Sequence, residues 1–423
     1  MWLNFADPLS IVPWGAYFPS SITGAITSGP LGAMGPQTAA SAQIFAQVDV
    51  QNARAAPADM TLAITVMDAD GATVATSSTK QKLPAGGWAR LTPSIPLSST
   101  VNLWNTESTY MYAVRADVLD NGVGGAVVDS VTVPIGVRDA IWTPNQGFML
   151  NGFKVPAKGF SQHQDFAGTG TAVPDRVNEF RVQGIRAIGG NFWRTAHNPT
   201  NPELLDFADK HGMLMWVENR FINKGVQPIQ SAKDAPQAFP PFNTAADPGL
   251  LADAQAMVLR DRNHPSVVIW SLCNEGGCQI GSTVGASIGA QFKNVITYAD
   301  TTRPITANGE WSIGTSDTMT NVMDVRASDP LALALASARK RGAQTSAMYY
   351  PGRGLLIICA QFSHPSYPFH TTINCRSSHA ATTTENTPNF ISRILSSLSW
   401  AASPPAAPRT VATTYPPTSQ RAI

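Results

Sequence analysis

The sequence predicts a multidomain protein of β plus α/β class, an immunoglobulin-like β-sandwich followed by an incomplete TIM (β/α)8 barrel. Three observations carry that prediction. Between residues 41 and 140 apolar and polar residues alternate with a period of two, as in AQIFAQVDVQN and MTLAITVMDADGATVATSS, the signature of half-buried strands. Beyond Trp142 short apolar runs alternate with helix-periodic segments, as strand–helix repeats around a parallel sheet do. One of those runs, VVIWSLCNE from Val267 to Glu275, is apolar and β-branched and then stops on an amide and a carboxylate. A strand covered on both faces needs the apolar run; packing gives no reason for the polar pair at its tip.

Taken in order, residues 1–40 are rich in Pro and Gly and read as the last strand and linker of an N-terminal β-domain that is itself missing. Residues 41–140 hold several short strands at the spacing of a sandwich, with an Asp-Ala-Asp-Gly turn and a hairpin signal at Asn121-Gly122. In the barrel region, 141–325, FKVPAKGF reads as a first strand and Pro174 to Ile188 as a helix with Pro in its first turn. GGNFWRTAHNP follows as strand and loop, PELLDFADKHG as a helix closed by Gly212, and MLMWVENR as a third strand. Asp247 to Arg262 reads as a helix, VVIWSLCNE as the fourth strand, Ala286 to Ala299 as a helix, and RPITAN and NVMDV as strands five and six. The pattern stops there. Residues 326–423 are dominated by Ser, Thr, Pro and Ala and carry nine Lys or Arg against Asp329 and Glu385, so this tail reads as divergent and unstructured.

A formal net charge of +1 argues for neither a nucleic-acid nor a membrane-surface partner. No apolar run approaches the ~20 residues that span a bilayer, and MWLNFADPLS lacks the basic and apolar segments of a signal peptide, so the compartment stays open. Four cysteines, Cys273, Cys278, Cys359 and Cys375, form neither a disulfide framework nor a zinc pattern.

In a barrel of this kind chemistry sits at the C-terminal ends of the strands. Those ends carry His163, Gln164 and Asp165; then Arg194, His197 and Asn198; then Glu218, Asn219 and Arg220; then Asn274 and Glu275. Ionisable groups at four successive tips converge on one mouth, and Glu275 is the first candidate for an acid or base. Arg194 with Glu218 reads equally as a structural ion pair or as a substrate-positioning one. Asp206 and Asp209, on the PELLDFADKHG segment, read as a solvated helix face.

Three of these segments, GFMLNGFKVPAKGFSQHQDFAGTGTAVPD, NFWRTAHNPTNPELLDFADKHGMLMWVENR and MVLRDRNHPSVVIWSLCNE, together resemble glycoside hydrolase family 2, the β-galactosidase and β-glucuronidase group. LWNTESTYMYAVRADV and VVDSVTVPIGVRDAIW resemble that family's sandwich and its join to the barrel, and the ENR form after the third strand looks closest to β-galactosidase-like members.

The resemblance implies retaining hydrolysis of an O-glycosidic bond in a β-linked sugar by two carboxylates about 5–5.5 Å apart. Glu275 matches the family's acid/base and Asn274 its contact to the sugar 2-hydroxyl. By the same resemblance Arg194 and Glu218 orient and balance the carboxylates, while His197, Asn198, His163 and Asp165 line the sugar pocket. Some members hold a magnesium ion near the site; the sequence assigns it no ligands, and we expect no cofactor.

The nucleophile is not recognisable. Glu310, in TANGEWSIG, lies only 35 residues past Glu275 and in a loop-like setting, and Glu385 sits in the polar run TTTENTP. Family likeness fades after Val325, so the chain reads as truncated at both ends, with weak or no turnover expected. The alternative from another class is a carbohydrate-binding remnant that holds a sugar without cleaving it.

Overall fold

The computed structural model describes residues 5–29, 35–98, 100–143, 146–220, 248–274, 283–307 and 324, with backbone alone for 248, 283–288, 343–349 and 356–362. The segment expected to be a linker begins the sandwich instead. Strand β1 (Leu9–Tyr17) pairs antiparallel with β6 (Gln47–Asn52), which pairs in turn with β9 (Trp88–Leu91). Leu9, Ile11, Ala16 and Phe18 are buried in the sandwich core beside Val48 and Val50. The reading of residues 1–40 as a remnant outside the sandwich is therefore corrected. A register shift between Ile11 and Ala16, with Trp14 at φ 55°, breaks the alternation that would have marked β1 as a strand.

The largest sheet of the sandwich runs in the order β13-β12-β7-β8, from β7 (Ala58–Met67), β8 (Thr73–Leu83), β12 (Tyr112–Asp120) and β13 (Ala126–Ile135). Alternate residues of its central strands, Met60, Leu62, Ile64 and Val66 with Val114, Ala116 and Val118, fill one core, as the period of two requires. Short strands β2 (Ser20–Ile22), β3 (Ile26–Ser28), β4 (Gln37–Ala39), β5 (Ala42–Phe45), β10 (Ser94–Leu97) and β11 (Val101–Asn102) complete the domain in two three-stranded sheets. At the hairpin expected from Asn121-Gly122 the connection is a 3-10 turn over Asn121–Val123. Asp120 Oδ1 accepts from Gly122 N at 2.8 Å, and Gly124 supplies the left-handed exit at φ 76°.

A small antiparallel sheet, β14 (Ala140–Thr143), β15 (Gly147–Leu150) and β16 (Phe153–Lys154), stands before the barrel. The expected strand FKVPAKGF is thus split, because Pro156 has no N–H for a ladder. Phe148 and Leu150 of this sheet, with Trp104 from the sandwich, pack against Phe192, Leu214 and Val268 near the starts of the barrel strands. They plug the barrel's lower end.

The barrel sheet has five parallel strands among the described residues: β17 (Gly159–His163), β18 (Phe192–Ala196), β19 (Leu214–Glu218), β20 (Val267–Ser271) and β21 (Ile305–Thr306). Of the sixth expected strand, NVMDV, only Asp324 is described. Its N–H donates to the Ile305 carbonyl at 2.8 Å, and its carboxylate accepts from Ile305 N at 3.0 Å. Helices α1 (Asp175–Ala187), α2 (Pro202–His211), α3 (Pro248–Asp261) and α4 (Thr283–Ala299) join the strands. Helix α2 ends on Gly212 at φ 68°, as the glycine signal predicts.

Strand alternation divides the barrel residues in two. Trp193, Met215, Val217 and Trp270 face outward onto Val182, Leu204, Leu205, Met257 and Phe292 of the helices. Phe192, Leu214, Trp216 and Ile269 face inward. Both faces are therefore apolar, which is why VVIW carries no alternation. In the tail, β22 (Ala343–Tyr349) and β23 (Leu356–Phe362) pair as an antiparallel hairpin, so this part of a segment expected to be unstructured is ordered into strands.

Gly159 has a specific reason to be glycine. A Cβ there would fall 1.5 Å from the Phe192 carbonyl oxygen, its partner across the β17–β18 ladder. We expect Gly159→Ala to destabilise the chain by about 1–3 kcal/mol through forced strand separation; an unchanged urea midpoint would contradict that close approach.

Asp209 is not solvated, contrary to the helix-face expectation. It is 3% exposed, accepts from Ser266 N at 3.0 Å and sits 2.6 Å from His264 Nδ1. Burial opposes charge on His264, but the attraction and hydrogen bond of Asp209 prevail and raise its pKa above the ordinary 6.5. The resulting stabilisation is complete below about pH 6.5 and lost as pH rises through the raised value. Urea denaturation at pH 6 and pH 9 should show the chain losing stability at the higher pH, and His264→Gln should flatten that slope.

Candidate active site

The strand registers bring the predicted residues together. Arg194 lies level with Trp216 across β18–β19, and Glu218 lies level with Ser271 across β19–β20. Because side chains repeat every two residues along a strand, Arg194, Trp216, Glu218 and Ser271 point into the barrel. The Arg194 guanidinium stands 5.3 Å from the centre of the Trp216 ring, a cation–π distance.

Glu218 is the centre of the site and is fully buried. Arg194 donates to it through Nε (3.0 Å to Oε2) and Nη2 (2.7 Å to Oε1), and the Ser271 hydroxyl donates to Oε2 at 2.9 Å. His197 Nδ1 approaches Oε1 at 2.9 Å. A carboxylate only accepts, so the Nδ1 proton belongs to this contact, and the 3.0 Å approach of Arg194 Nη2 to the same nitrogen is a by-product of crowding. Burial pushes the Glu218 carboxyl toward protonation, but the Arg194 charge and the His197 hydrogen bond outweigh it and hold the pKa below 4.5. Glu218 is thus a fixed anion rather than a proton donor.

Arg194 Nη2 also donates to Asn274 Oδ1 at 2.8 Å. That contact orients the amide, with Oδ1 toward the arginine and Nδ2 turned away from it. Asn274 is 8% exposed. His163 joins through its ring, whose centroid is 5.2 Å from that of His197 in an edge-on arrangement. Asn198 turns aside, donating to Gln164 Oε1 at 2.6 Å and to the Pro199 carbonyl at 2.8 Å. Asp165 is exposed and stands outside this network among the described residues, while Arg220 pairs with Asp253. Glu275, Glu310 and Glu385 lie outside the described residues.

Sequence reasoning missed Ser271 and Thr195, whose Oγ1 accepts from Glu218 N at 2.9 Å. A hydroxyl inside the apolar run VVIWSL was the available signal for Ser271. Cys273, next to the site, is buried and disulfide-bonded, which cysteine spacing did not foretell. Among the described residues no three His, Cys, Asp or Glu side chains converge to hold a metal ion. No described helix is long and apolar enough to cross a membrane.

A sandwich joined to a barrel has counterparts among known proteins. The family model described as "Glycosyl hydrolases family 2" matches residues 35–138, and that of "Glycosyl hydrolases family 2, TIM barrel domain" matches residues 142–335. The chain belongs to glycosyl hydrolase family 2. It is 26% identical over 331 residues to the beta-galactosidase BoGH2A of Bacteroides ovatus, covering 78% of this chain and 36% of that one. To a beta-glucuronidase of Bacteroides fragilis it is 32% identical over 236 residues, or 55% of this chain and 32% of that one. A solved family 2 member from Bacteroides cellulosilyticus superposes with a TM-score of 0.65 at 25% identity, over 79% of this chain and 40% of that one. The chain spans only 19–36% of the length of the first four curated relatives it matches.

Proposed function

We propose that this site performs retaining hydrolysis of a β-glycosidic bond, with a β-linked galactoside as substrate. The observation that supports it best is the Glu218–Arg194–Asn274 relay, which fixes the amide immediately before Glu275. In this reading the Asn274 amide meets the sugar 2-hydroxyl, a contact that strengthens as the oxocarbenium-like transition state forms. Glu275 protonates the leaving oxygen and later activates water. Arg194 and Glu218 keep the surrounding charges balanced, and His197 and His163 face the sugar, while Asn198 and Asp165, turned aside or exposed, take no part. The attacking carboxylate has no assignment in this sequence.

The test is hydrolysis of aryl β-galactosides and aryl β-glucuronides by the full chain. Weak turnover on the galactoside, reduced about 10²–10⁴-fold in Glu275→Gln, is the expected result. Activity that survives the substitution sinks the role of Glu275, and preference for the glucuronide reassigns the sugar. Saturable galactose binding without turnover would favour the second reading, a carbohydrate-binding remnant, for which the lack of a recognisable nucleophile speaks.

A further inference from the structure

At the opposite end of the barrel from the strand tips, a cavity of about 240 Å³ lies between the sandwich and the loops that precede β20 and β21. Three guanidinium groups, those of Arg138, Arg262 and Arg303, line it together with Ser20, Ser21 and Thr302. The one acid on its wall is Asp139, whose carboxylate accepts from Ile22 N at 3.2 Å.

Only Arg303 has an ionic partner, Asp300 at 2.8 Å; neither Arg138 nor Arg262 is in an ion pair among the described residues. Arg138 donates through Nε and Nη2 to the Pro265 and Val267 carbonyls, at 2.6 and 2.7 Å. Arg262 donates through Nη1 and Nη2 to the Ala299 and Trp14 carbonyls, at 2.7 and 3.1 Å, and its guanidinium lies 4.5 Å from the centre of the Tyr17 ring. These bonds explain why the arginines tie loops to strands. They do not explain the Nε of Arg262, buried with no acceptor in a residue 1% exposed. A buried donor left unmade is costly.

Two cations without carboxylates and the Ser20 and Ser21 hydroxyls around one small cavity share a chemical complement. We propose that this cavity binds a small oxyanion of the phosphate or sulfate type, as the free ion or as the charged group of a sugar ester. Planar guanidinium forks suit such oxygens. Burial and the nearby Arg303 charge lower the Arg138 pKa to about 9, the direction expected where positive charge lacks a counter-ion. An anion held here would touch both the sandwich and the barrel, so its binding would stabilise their junction.

The experiment is thermal unfolding of the full chain in rising inorganic phosphate or sulfate, against chloride at matched ionic strength. We expect a saturable rise in Tm of about 2 °C or more with the oxyanions. Ser21→Asp, which places a carboxylate at the cavity wall and leaves the arginines intact, should remove that rise without unfolding the protein. Glucose 6-phosphate distinguishes the sources: saturation at lower concentration than inorganic phosphate assigns the site to a sugar ester, and the reverse assigns it to the free ion. No excess of oxyanion over chloride, or a rise that persists in Ser21→Asp, overturns the proposal.

Discussion

Replacing Arg194 by methionine should cost about 3–5 kcal/mol of unfolding free energy, because it leaves the Glu218 carboxylate buried without its main counter-charge. Both oxygens of that carboxylate now accept from Arg194, within 2.7–3.0 Å. The Ser271 hydroxyl and the His197 ring cannot replace a full charge, so Glu218 would take up a proton near neutral pH and stability would fall. Urea denaturation of wild type and variant measures the loss. Arg194→Met combined with Glu218→Gln should recover a substantial part of it, since a neutral amide needs no counter-ion. Full additivity of the two substitutions would show that the pair is not coupled. On the proposed function, sugar binding should stay impaired in the double variant, because Asn274 Oδ1 would still lack the donor that orients it.

Asp300→Ala should be of similar size, about 3–5 kcal/mol, for a different reason. The Asp300 carboxylate gathers the Arg303 guanidinium at 2.8 Å, the Trp270 indole N–H at 2.8 Å and the Tyr17 hydroxyl at 2.9 Å. Two of those partners belong to the barrel and one to β1 of the sandwich. Removing the acid strands an Arg303 side chain that is only 6% exposed. Burial again favours the neutral acid, yet the Arg303 charge and the donors from Thr302 and Trp270 overcome it and lower the Asp300 pKa from 3.8 to about 2. A depressed carboxylate stabilises the fold above its unfolded value, here by about 2 kcal/mol above pH 4, and loses that contribution as pH falls toward 2. Denaturation curves between pH 5 and pH 2 should therefore be steeper for wild type than for Asp300→Ala. Parallel curves would remove Asp300 from the acid response.

The strand tips of the candidate site were legible because ionisable residues at the ends of apolar runs have no packing explanation. Arg194, Glu218 and Asn274 were found that way, and the structure joins them through hydrogen bonds from the Arg194 guanidinium to both of the others. What stayed hidden depends on partners distant in sequence. Asp209 looks like a surface acid on its own helix, and its burial follows from His264, 55 residues later. Strand β1 escaped because its bulge at Trp14 interrupts the period on which strand reading relies. The plug formed by β14–β16 escaped for a related reason, since strands of two to four residues leave too little text for a pattern. Ser271 was visible as an anomaly in VVIWSL, but its use depends on facing Glu218 across a ladder that periodicity does not specify.

Trp104 belongs to the sandwich by position and to the barrel by packing. It is fully buried against Phe192 and Trp216, and its indole N–H donates to the Asp209 carbonyl at 2.9 Å. A boundary drawn near residue 140 is accordingly a boundary of topology and not of thermodynamics. Unfolding the sandwich withdraws a tryptophan from the barrel interior, and unfolding the barrel bares one that the sandwich cannot cover alone. We expect the two halves to share one melting transition in a thermal unfolding scan, and neither to be a natural unit for separate expression.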